Sequence, residues 1–124
     1  MVELGTLDEL EPGVVKSVVV GRRSIALVRW GEEVFAVRNM CPHESQPFDG
    51  GQVVALVRSE RALGDVSVAH DEPVVTCPVH NFSYRLRDGR CLATPLLRVR
   101  SYDVEVREGR IYVDIGQRRV RSEQ

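Results

Sequence analysis

Two short segments of this chain each place a cysteine close to a histidine. The first reads Cys-Pro-His at residues 41–43, and the second reads Cys-Pro-Val-His at residues 77–80. Thiolates and imidazoles are both metal ligands, and each tight loop carries one of each. Together the loops supply a Cys2His2 set that can hold a tetrahedral zinc ion, or a 2Fe-2S cluster with two cysteines on one iron and two histidines on the other.

The order of the ligands favours iron and sulfur over zinc. A zinc finger usually groups its cysteines in one pair and its histidines in another, whereas each pair here is mixed. Proline follows both cysteines, where it fixes φ and removes one N–H group, so that later amides remain to point at cluster sulfides. Such donors stabilise the electron gained on reduction. Zinc remains the alternative metal.

Over residues 14–115 the chain resembles the Rieske family, whose pattern is Cys-x-His, an intervening stretch and Cys-x-x-His. The segments that carry the resemblance are Asn-Met-Cys-Pro-His at 39–43, Thr-Cys-Pro-Val-His at 76–80, Arg-Asp-Gly-Arg at 87–90, Thr-Pro-Leu at 94–96, Tyr-Asp-Val at 102–104 and Gly-Arg-Ile-Tyr-Val at 109–113. The resemblance implies a Rieske-type 2Fe-2S cluster. Cys41 and Cys77 would bind its inner iron, and His43 and His80 its outer, more exposed iron.

Three features depart from the usual pattern of that family. The gap between His43 and Cys77 is 33 residues long, and its polar segment 59–72 is predicted to be an inserted surface excursion between strands. Asn81 replaces the usual glycine, and asparagine tolerates positive φ. The loops also lack the extra cysteine pair of respiratory-complex Rieske proteins. The chain therefore resembles ferredoxin-type members, including the ferredoxins of aromatic-ring oxygenases and the small subunit of assimilatory nitrite reductase.

Composition predicts one small soluble domain. The chain has 124 residues, of which 43% are hydrophobic, and a formal net charge of −1, which argues against general affinity for nucleic acid or anionic membranes. The pairs at 22–23 and 118–119, both Arg-Arg, are predicted to be solvated turn and tail charges instead of phosphate-binding groups. No signal sequence or apolar run of ~20 residues is found. We expect a cytoplasmic protein, where reduced thiols suit a metal or cluster.

Apolar and β-branched runs separated by turn residues predict an all-β fold. The resemblance implies a Rieske-like antiparallel β-sandwich or barrel with a small cluster-binding subdomain. The predicted strands cover 14–20, 24–30, 33–38, 52–58, 83–86, 90–93, 99–107 and 110–115. Residues 1–116 are expected to form a single Rieske domain with its cluster-binding part at about 39–97, followed by a polar tail at 117–124.

The resemblance implies a one-electron carrier that accepts electrons from a flavin-dependent reductase and passes them to an oxygenase. Two thiolates instead of four make the cluster easier to reduce, so its potential is expected within about −150 to +300 mV. The first alternative is a small Rieske subunit of a larger reductase, such as assimilatory nitrite reductase. The second is a zinc-binding interaction module. We do not expect a terminal oxygenase, because it would need a mononuclear iron site and a substrate domain in addition to the 124 residues of the cluster domain.

Other residues near the two pairs have two possible roles each. Ser83 and Tyr84 follow the second loop and could donate hydrogen bonds to cluster sulfur, or could have ordinary strand and core roles. Phe48 could shield the cluster or anchor its loop. Cys91 is predicted to be a small buried hydrophobe instead of a ligand. Pro95 is predicted to pack against the cluster, as the resemblance implies.

Overall fold

The computed structural model describes residues 1–42, 46–59, 66–78 and 82–116, with backbone only for 57–59 and 66–71. These residues form nine β-strands, one 3₁₀ turn at Leu7–Glu9 and no α-helix. The strands are β1 Val2–Thr6, β2 Lys16–Val20, β3 Arg23–Trp30, β4 Glu33–Arg38, β5 Val53–Ser59, β6 Val66–Thr76, β7 Ser83–Arg85, β8 Ser101–Arg107 and β9 Arg110–Asp114. No described helix has the length and apolar content to cross a membrane.

The described strands make two antiparallel sheets, as predicted for an all-β barrel or sandwich. Six strands in the order β1-β9-β8-β4-β3-β2 form a nearly closed barrel sheet. The other three, in the order β5-β6-β7, form a small sheet that carries the second Cys-Pro loop at the end of β6. The fold class is therefore confirmed.

Strands β3 and β4 form a wall between two hydrophobic cores. Since side chains alternate along a strand, Ile25 and Leu27 face one core while Ala26 and Val28 face the other. The barrel core contains Leu10, Ile25, Leu27, Val34, Ala36, Tyr102, Ile111 and Val113. The cysteine-side core contains Ala26, Val28, Phe35, Val37, Cys41, Phe48, Val75, Cys77, Tyr84, Leu86, Cys91 and Val99. Burial on both faces explains why β3 and β4 read as continuous apolar runs.

The segment predicted to be a surface excursion, residues 59–72, is partly regular structure. Residues 66–72 belong to β6, and β5 pairs with them from Leu56 opposite Ala69 to Ser59 opposite Val66. Ala55, which immediately precedes Leu56 in β5, pairs with Pro73, so residues 70–72 have no partner in β5 and bulge from the ladder. This polar bulge obscures the strand pattern in the sequence. Residues 60–65 lie outside the described part of the chain.

The predicted hairpin over 83–86 and 90–93 forms only in part. Its first half is β7, whereas the second half makes isolated bridges at Arg90 and Cys91. The turn between them is as predicted, because Gly89 has φ of 82°, a conformation that glycine adopts without steric cost. A Cβ at Gly89 would also collide with the carbonyl oxygen of Val99. The tail at 117–124 lies outside the described residues.

Candidate metal centre

The two Cys-Pro loops are closed in the same way by their cysteine backbones. The N–H of Cys41 donates to the carbonyl oxygen of Gln46 at 2.6 Å, and that of Cys77 donates to the carbonyl oxygen of Phe82 at 2.8 Å. Each bond spans five residues, so each loop begins at its cysteine and returns to it. The sequence similarity of the two pairs thus extends to their backbone hydrogen bonding.

Both histidines of the predicted ligand set lie outside the described residues. His43 belongs to segment 43–45 and His80 to segment 79–81, within the two closed loops. No three His, Cys, Asp or Glu side chains that could hold a metal come together elsewhere in the described residues. The geometry therefore describes the cysteine half of the set, and the histidine half stays a prediction.

The sulfur atoms of the two loops lie in one buried core. Cys41 and Cys77 are both fully buried, and neither forms a disulfide. They share the cysteine-side core with Cys91, which is 7% exposed and also free. Cys91 is thus buried, as predicted. Two cysteine side chains that form no disulfide and are enclosed by apolar side chains suit the inner iron of a cluster, since thiolates are its ligands.

Tyr84 contacts one of these sulfur atoms directly. Its hydroxyl oxygen lies 3.3 Å from Sγ of Cys41, and its side chain is fully buried. Burial raises the pKa of Tyr84 far above its usual value, and the hydrogen bond with Cys41 raises this pKa further. The hydroxyl group therefore keeps its proton. When Cys41 is a thiolate, the only possible donor of this bond is Tyr84.

The structure also assigns contacts to the other candidates near the second loop. Ser83 shares a 2.9 Å hydrogen bond with Oγ1 of Thr76, across the β6–β7 pair, which is a strand contact. Phe48 is fully buried and packs edge-on against Tyr84, with ring centroids 5.7 Å apart. Phe48 therefore helps to fix the ring that reaches Cys41. Pro95 is exposed, and its predicted contact with the cluster stays a prediction.

Asn39 joins the two ends of the first loop, a role that the sequence reading missed. Its Oδ1 accepts a 2.8 Å bond from the N–H of Phe48, and its Nδ2 donates to Oδ1 of Asp49 at 2.9 Å. The same Nδ2 lies 3.0 Å from Oγ of Ser17 and 3.1 Å from Oγ of Ser24. The side chain is 8% exposed. The only signal in the sequence was an asparagine directly after the predicted strand 33–38 and two positions before the cysteine.

Asp49 completes this hydrogen-bond network as an acceptor. The Ser17 hydroxyl donates to Oδ2 of Asp49, and Asn39 donates to its Oδ1. The bonds from Ser17 and Asn39, in that order, hold the pKa of Asp49 below its usual value. Asp49 is therefore an ionised acceptor at neutral pH, and it ties the end of the first loop to β2.

The two loops approach each other at Gly51. Its N–H donates to the carbonyl oxygen of Phe48, and the N–H of Thr76 donates to the carbonyl oxygen of Gln52 at 2.8 Å. A Cβ at Gly51 would collide with the carbonyl oxygen of Thr76. Only glycine at position 51 leaves room for the backbone of Thr76, the residue immediately before Cys77.

Comparison with known proteins identifies the family of the chain. The model of the Rieske-like 2Fe-2S domain matches residues 1–114. The chain therefore belongs to this family, and its cofactor is a Rieske-type 2Fe-2S cluster.

Three similar proteins illustrate the range of the family. The chain is 36% identical over 104 residues to the large subunit of NAD(P)H nitrite reductase from Klebsiella oxytoca. The matched region covers 84% of this chain but only 10% of that protein. It is 30% identical to the ferredoxin of carbazole 1,9a-dioxygenase from Nocardioides aromaticivorans IC177, with a TM-score of 0.68 and coverage of 91% and 97%. It is 28% identical to an NADH-dependent nitrite reductase small subunit from Mycobacterium tuberculosis, with a TM-score of 0.71 and coverage of 90% of both chains.

The described residues are compatible with the family cofactor. Cys41 and Cys77 are buried and unoxidised, and they begin matching loops. The hydroxyl of Tyr84 is placed to donate to a thiolate at Cys41. These features suit a buried iron held by sulfur, with a neutral hydrogen-bond donor beside it.

Proposed function

We propose that this chain is a one-electron carrier whose cluster is held by Cys41, Cys77, His43 and His80. The observation that carries the proposal is the pair of matched loops, each closed by its cysteine N–H, whose cysteines lie in one buried core. The histidines complete the set on the basis of the Cys-x-His and Cys-x-x-His spacing. In this proposal residues 1–116 are one domain, and the cluster-binding part covers about 39–97.

The protein's own residues have separate tasks in electron transfer. The bound cluster supplies a site that takes up and releases one electron. Cys41 and Cys77 would ligate the iron, and the core around them keeps water from the sulfur atoms. Tyr84 would donate its hydroxyl hydrogen to Sγ of Cys41, which stabilises the more negative reduced state. None of these tasks makes or breaks a covalent bond in a substrate, so the chain would catalyse nothing by itself.

Exposed apolar side chains beside Cys41 and in the segment that follows Cys91 support docking of a redox protein. Met40 precedes Cys41 and is 37% exposed, while Leu92 and Leu96 are 47% and 89% exposed. Apolar groups at the surface near a redox centre suit a transient protein contact. The partners that we propose are a flavin-dependent reductase as donor and an oxygenase as acceptor, by analogy with the dioxygenase ferredoxin.

A permanent subunit of a larger reductase is the second candidate. It is favoured by the 36% identity to part of a nitrite reductase large subunit and by the similarity to a nitrite reductase small subunit. The zinc-binding module receives no support, because the family cofactor is an iron–sulfur cluster. A cytoplasmic location is proposed for both candidates, and it is consistent with three cysteines that form no disulfide.

Purification and turnover distinguish the two candidates. The cluster-loaded protein is passed over a sizing column with a cell extract from its source, and is then mixed in a catalytic amount with a reductase and an oxygenase. A carrier elutes by itself, and each molecule moves many electrons between the two enzymes. A permanent subunit instead stays with a larger reductase through an interface of more than ~2,000 Å². A loaded protein that neither accepts nor donates electrons would contradict both candidates.

A further inference from the structure

A cavity of about 300 Å³ lies on the barrel sheet beside the beginning of the first cysteine loop. Among the described residues, four arginines line it: Arg22, Arg23, Arg38 and Arg100. They come from the β2–β3 turn, the first residue of β3, the end of β4 and the segment just before β8. Met40, the residue before Cys41, is also part of the wall. Arginines that are distant in sequence thus converge at one point through the pairing of the strands.

In the described part of the chain no carboxylate lies within 4 Å of the four guanidinium groups, and a carboxylate connected to the wall is that of Asp49, which is hydrogen-bonded to Asn39. None of the four guanidinium groups forms an ion pair there. Other described arginines do pair with a carboxylate within 4 Å, namely Arg29, Arg85, Arg87, Arg90, Arg107 and Arg110. The formal net charge of the chain is −1. Four arginines with no ion-pair partner among the described residues therefore concentrate positive charge at one place on a chain that is nearly neutral as a whole.

Two of the four arginines are held in place by the backbone. Nη1 of Arg23 donates to the carbonyl oxygen of Ile115 at 2.6 Å, and Nη2 of Arg100 lies 3.5 Å from the carbonyl oxygen of Gly116. Arg100 also lies over the ring of Tyr102, 5.3 Å from its centroid. Arg23 is therefore half-buried and bonded, which differs from the solvated turn charge predicted for it. Each guanidinium has five N–H donors, so most remain for a ligand.

The chemistry of the wall selects an anion with several oxygen acceptors. Guanidinium groups bind phosphate oxygens in a bidentate manner, and charge-assisted bonds of this kind are stronger than neutral ones. The volume is at the lower end of the range for small-molecule sites. A concave wall with converging donors suits a small oxyanion better than the flat acidic face of a protein.

We propose that this cavity binds a phosphate-type oxyanion, either free phosphate or the phosphate group of a small molecule, and that the bound anion opposes reduction of the cluster. The binding of the anion is argued from the cavity alone, whereas its effect on reduction rests on the proposed function. Reduction would add one negative charge to the cluster that Cys41 is proposed to hold. An anion bound in the cavity, whose wall includes the neighbouring Met40, would repel that charge. By thermodynamic reciprocity, the oxidised protein then binds the anion more tightly than the reduced protein.

Calorimetric titration of the cluster-loaded protein in chloride buffer tests the site. Inorganic phosphate, pyrophosphate and ADP are titrated separately, and we expect one-site binding with a Kd of ~1 mM or tighter for at least one of them. Similar affinity for all three would indicate free phosphate. Binding of pyrophosphate or ADP that is tighter by about tenfold would indicate a phosphorylated small molecule.

Charge variants locate the binding. The double variant Arg38→Gln/Arg100→Gln should weaken binding by about tenfold or more, because it removes two guanidinium groups that form charge-assisted bonds with the anion. Arg38→Lys keeps the charge but loses the planar fork, so it should weaken binding less. Arg107→Gln, on the other end of β8 and paired with Glu105, is the control and should leave the Kd unchanged. Near-UV circular dichroism checks that each variant is folded.

Redox titration with and without saturating anion tests the coupling. If the anion binds the oxidised protein twofold more tightly than the reduced protein, saturating anion lowers the midpoint potential by about 18 mV for one electron. An unchanged potential with binding intact would overturn the coupling. No saturable binding, an equal loss in Arg107→Gln, or binding only of an acidic peptide such as polyglutamate would overturn the anion site. A protein that takes up no cluster but still binds phosphate would contradict the proposed function and leave the anion site standing.

Discussion

The barrel sheet and the cysteine-bearing part of this molecule are held together by different means. In the barrel, β3 and β4 pair continuously from Ile25 opposite Arg38 to Trp30 opposite Glu33. The cysteine-bearing part has a small sheet in which β5 pairs with β6 along its length and β7 adds only three residues, but each cysteine loop is closed by a single backbone bond at its cysteine N–H. Regular pairing and burial therefore specify the barrel, whereas a few individual hydrogen bonds and, by our account, the metal specify the loops.

The two parts are nevertheless joined by a common wall. Strands β3 and β4 contribute side chains to both cores, so the cysteine-side core is built on the outer face of the barrel. We expect the barrel to form without the cluster and to provide a surface on which the loops assemble. Substitutions in the two parts should then have separable effects, on metal binding in one and on global stability in the other.

The largest effect is expected from removing a cysteine of the loops. Cys41→Ala and Cys77→Ala should each abolish the 2Fe-2S cluster, since a thiolate ligand is lost, while the barrel keeps its far-UV circular dichroism. Iron and acid-labile sulfide are counted in the purified variants. Cys91→Ala is the matched control, because Cys91 is buried in the same core and should leave the cluster intact. A normally loaded Cys41→Ala protein would remove that residue from the ligand set.

A barrel substitution should reverse this pattern. Ile111 is fully buried in the barrel core, and Ile111→Ala should lower the free energy of unfolding by about 2–5 kcal/mol through lost burial and a cavity. The molecules that remain folded should keep the cluster spectrum. Val19→Ala, at a side chain that is 71% exposed, should change stability by less than about 0.5 kcal/mol. Urea titration gives both values, and equal effects would contradict the burial argument.

Asn39 lies at the junction of the two parts, and its loss should have an intermediate effect. Asn39→Ala leaves the N–H of Phe48 without its acceptor, which costs about 1–3 kcal/mol for a buried group. The first loop should then open more readily, so the cluster should be lost faster to a chelator and the Phe48 amide should exchange faster. Ser17→Ala removes one outer contact of the network and should have a smaller effect. An unchanged rate of cluster loss in Asn39→Ala would show that the network does not support the loop.

Tyr84→Phe should have the smallest effect, and a specific one. The hydroxyl bond to Cys41 is stronger in the more negative reduced state, and a difference of about 1 kcal/mol between the two states corresponds to ~40 mV for one electron. The midpoint potential should therefore fall by about that amount, with cluster content unchanged. Tyr112→Phe in the barrel sheet is the control and should not move the potential. A shift of the same size in both variants would rule out a direct bond to sulfur.

The sequence predicted those strands that are continuous apolar runs between turns. β4 has the same bounds in the prediction and in the structure, and β3 differs by one residue. β1 was missed because it contains Gly5 and depends on pairing with β9, at the far end of the chain. β6 was missed because a polar bulge at residues 70–72 interrupts it. Long-range pairing determines both elements, and local patterns carry little of that information.

In the site, too, the features that depend on local sequence were predicted, and those that depend on long-range contacts were not. Cysteine and histidine spacing is local, so it indicated a cluster directly, and the family match agrees with that cofactor. The role of Asn39 depends on partners at residues 17, 24, 48 and 49, which only the fold brings together. Tyr84 was a candidate from its position after the second loop, but its contact with Cys41 joins residues 43 apart in sequence. The arginine cavity likewise follows from strand pairing.

The ligand set is tested most directly by electron–nuclear double resonance on the dithionite-reduced protein, with its histidines labelled with ¹⁵N. Two histidine nitrogens bound to one iron of a 2Fe-2S cluster should each give a hyperfine coupling. Replacing His43 or His80 should remove one of them. A reduced cluster with no coupling to labelled histidine, or a protein that contains zinc and gives no paramagnetic signal, would contradict the account.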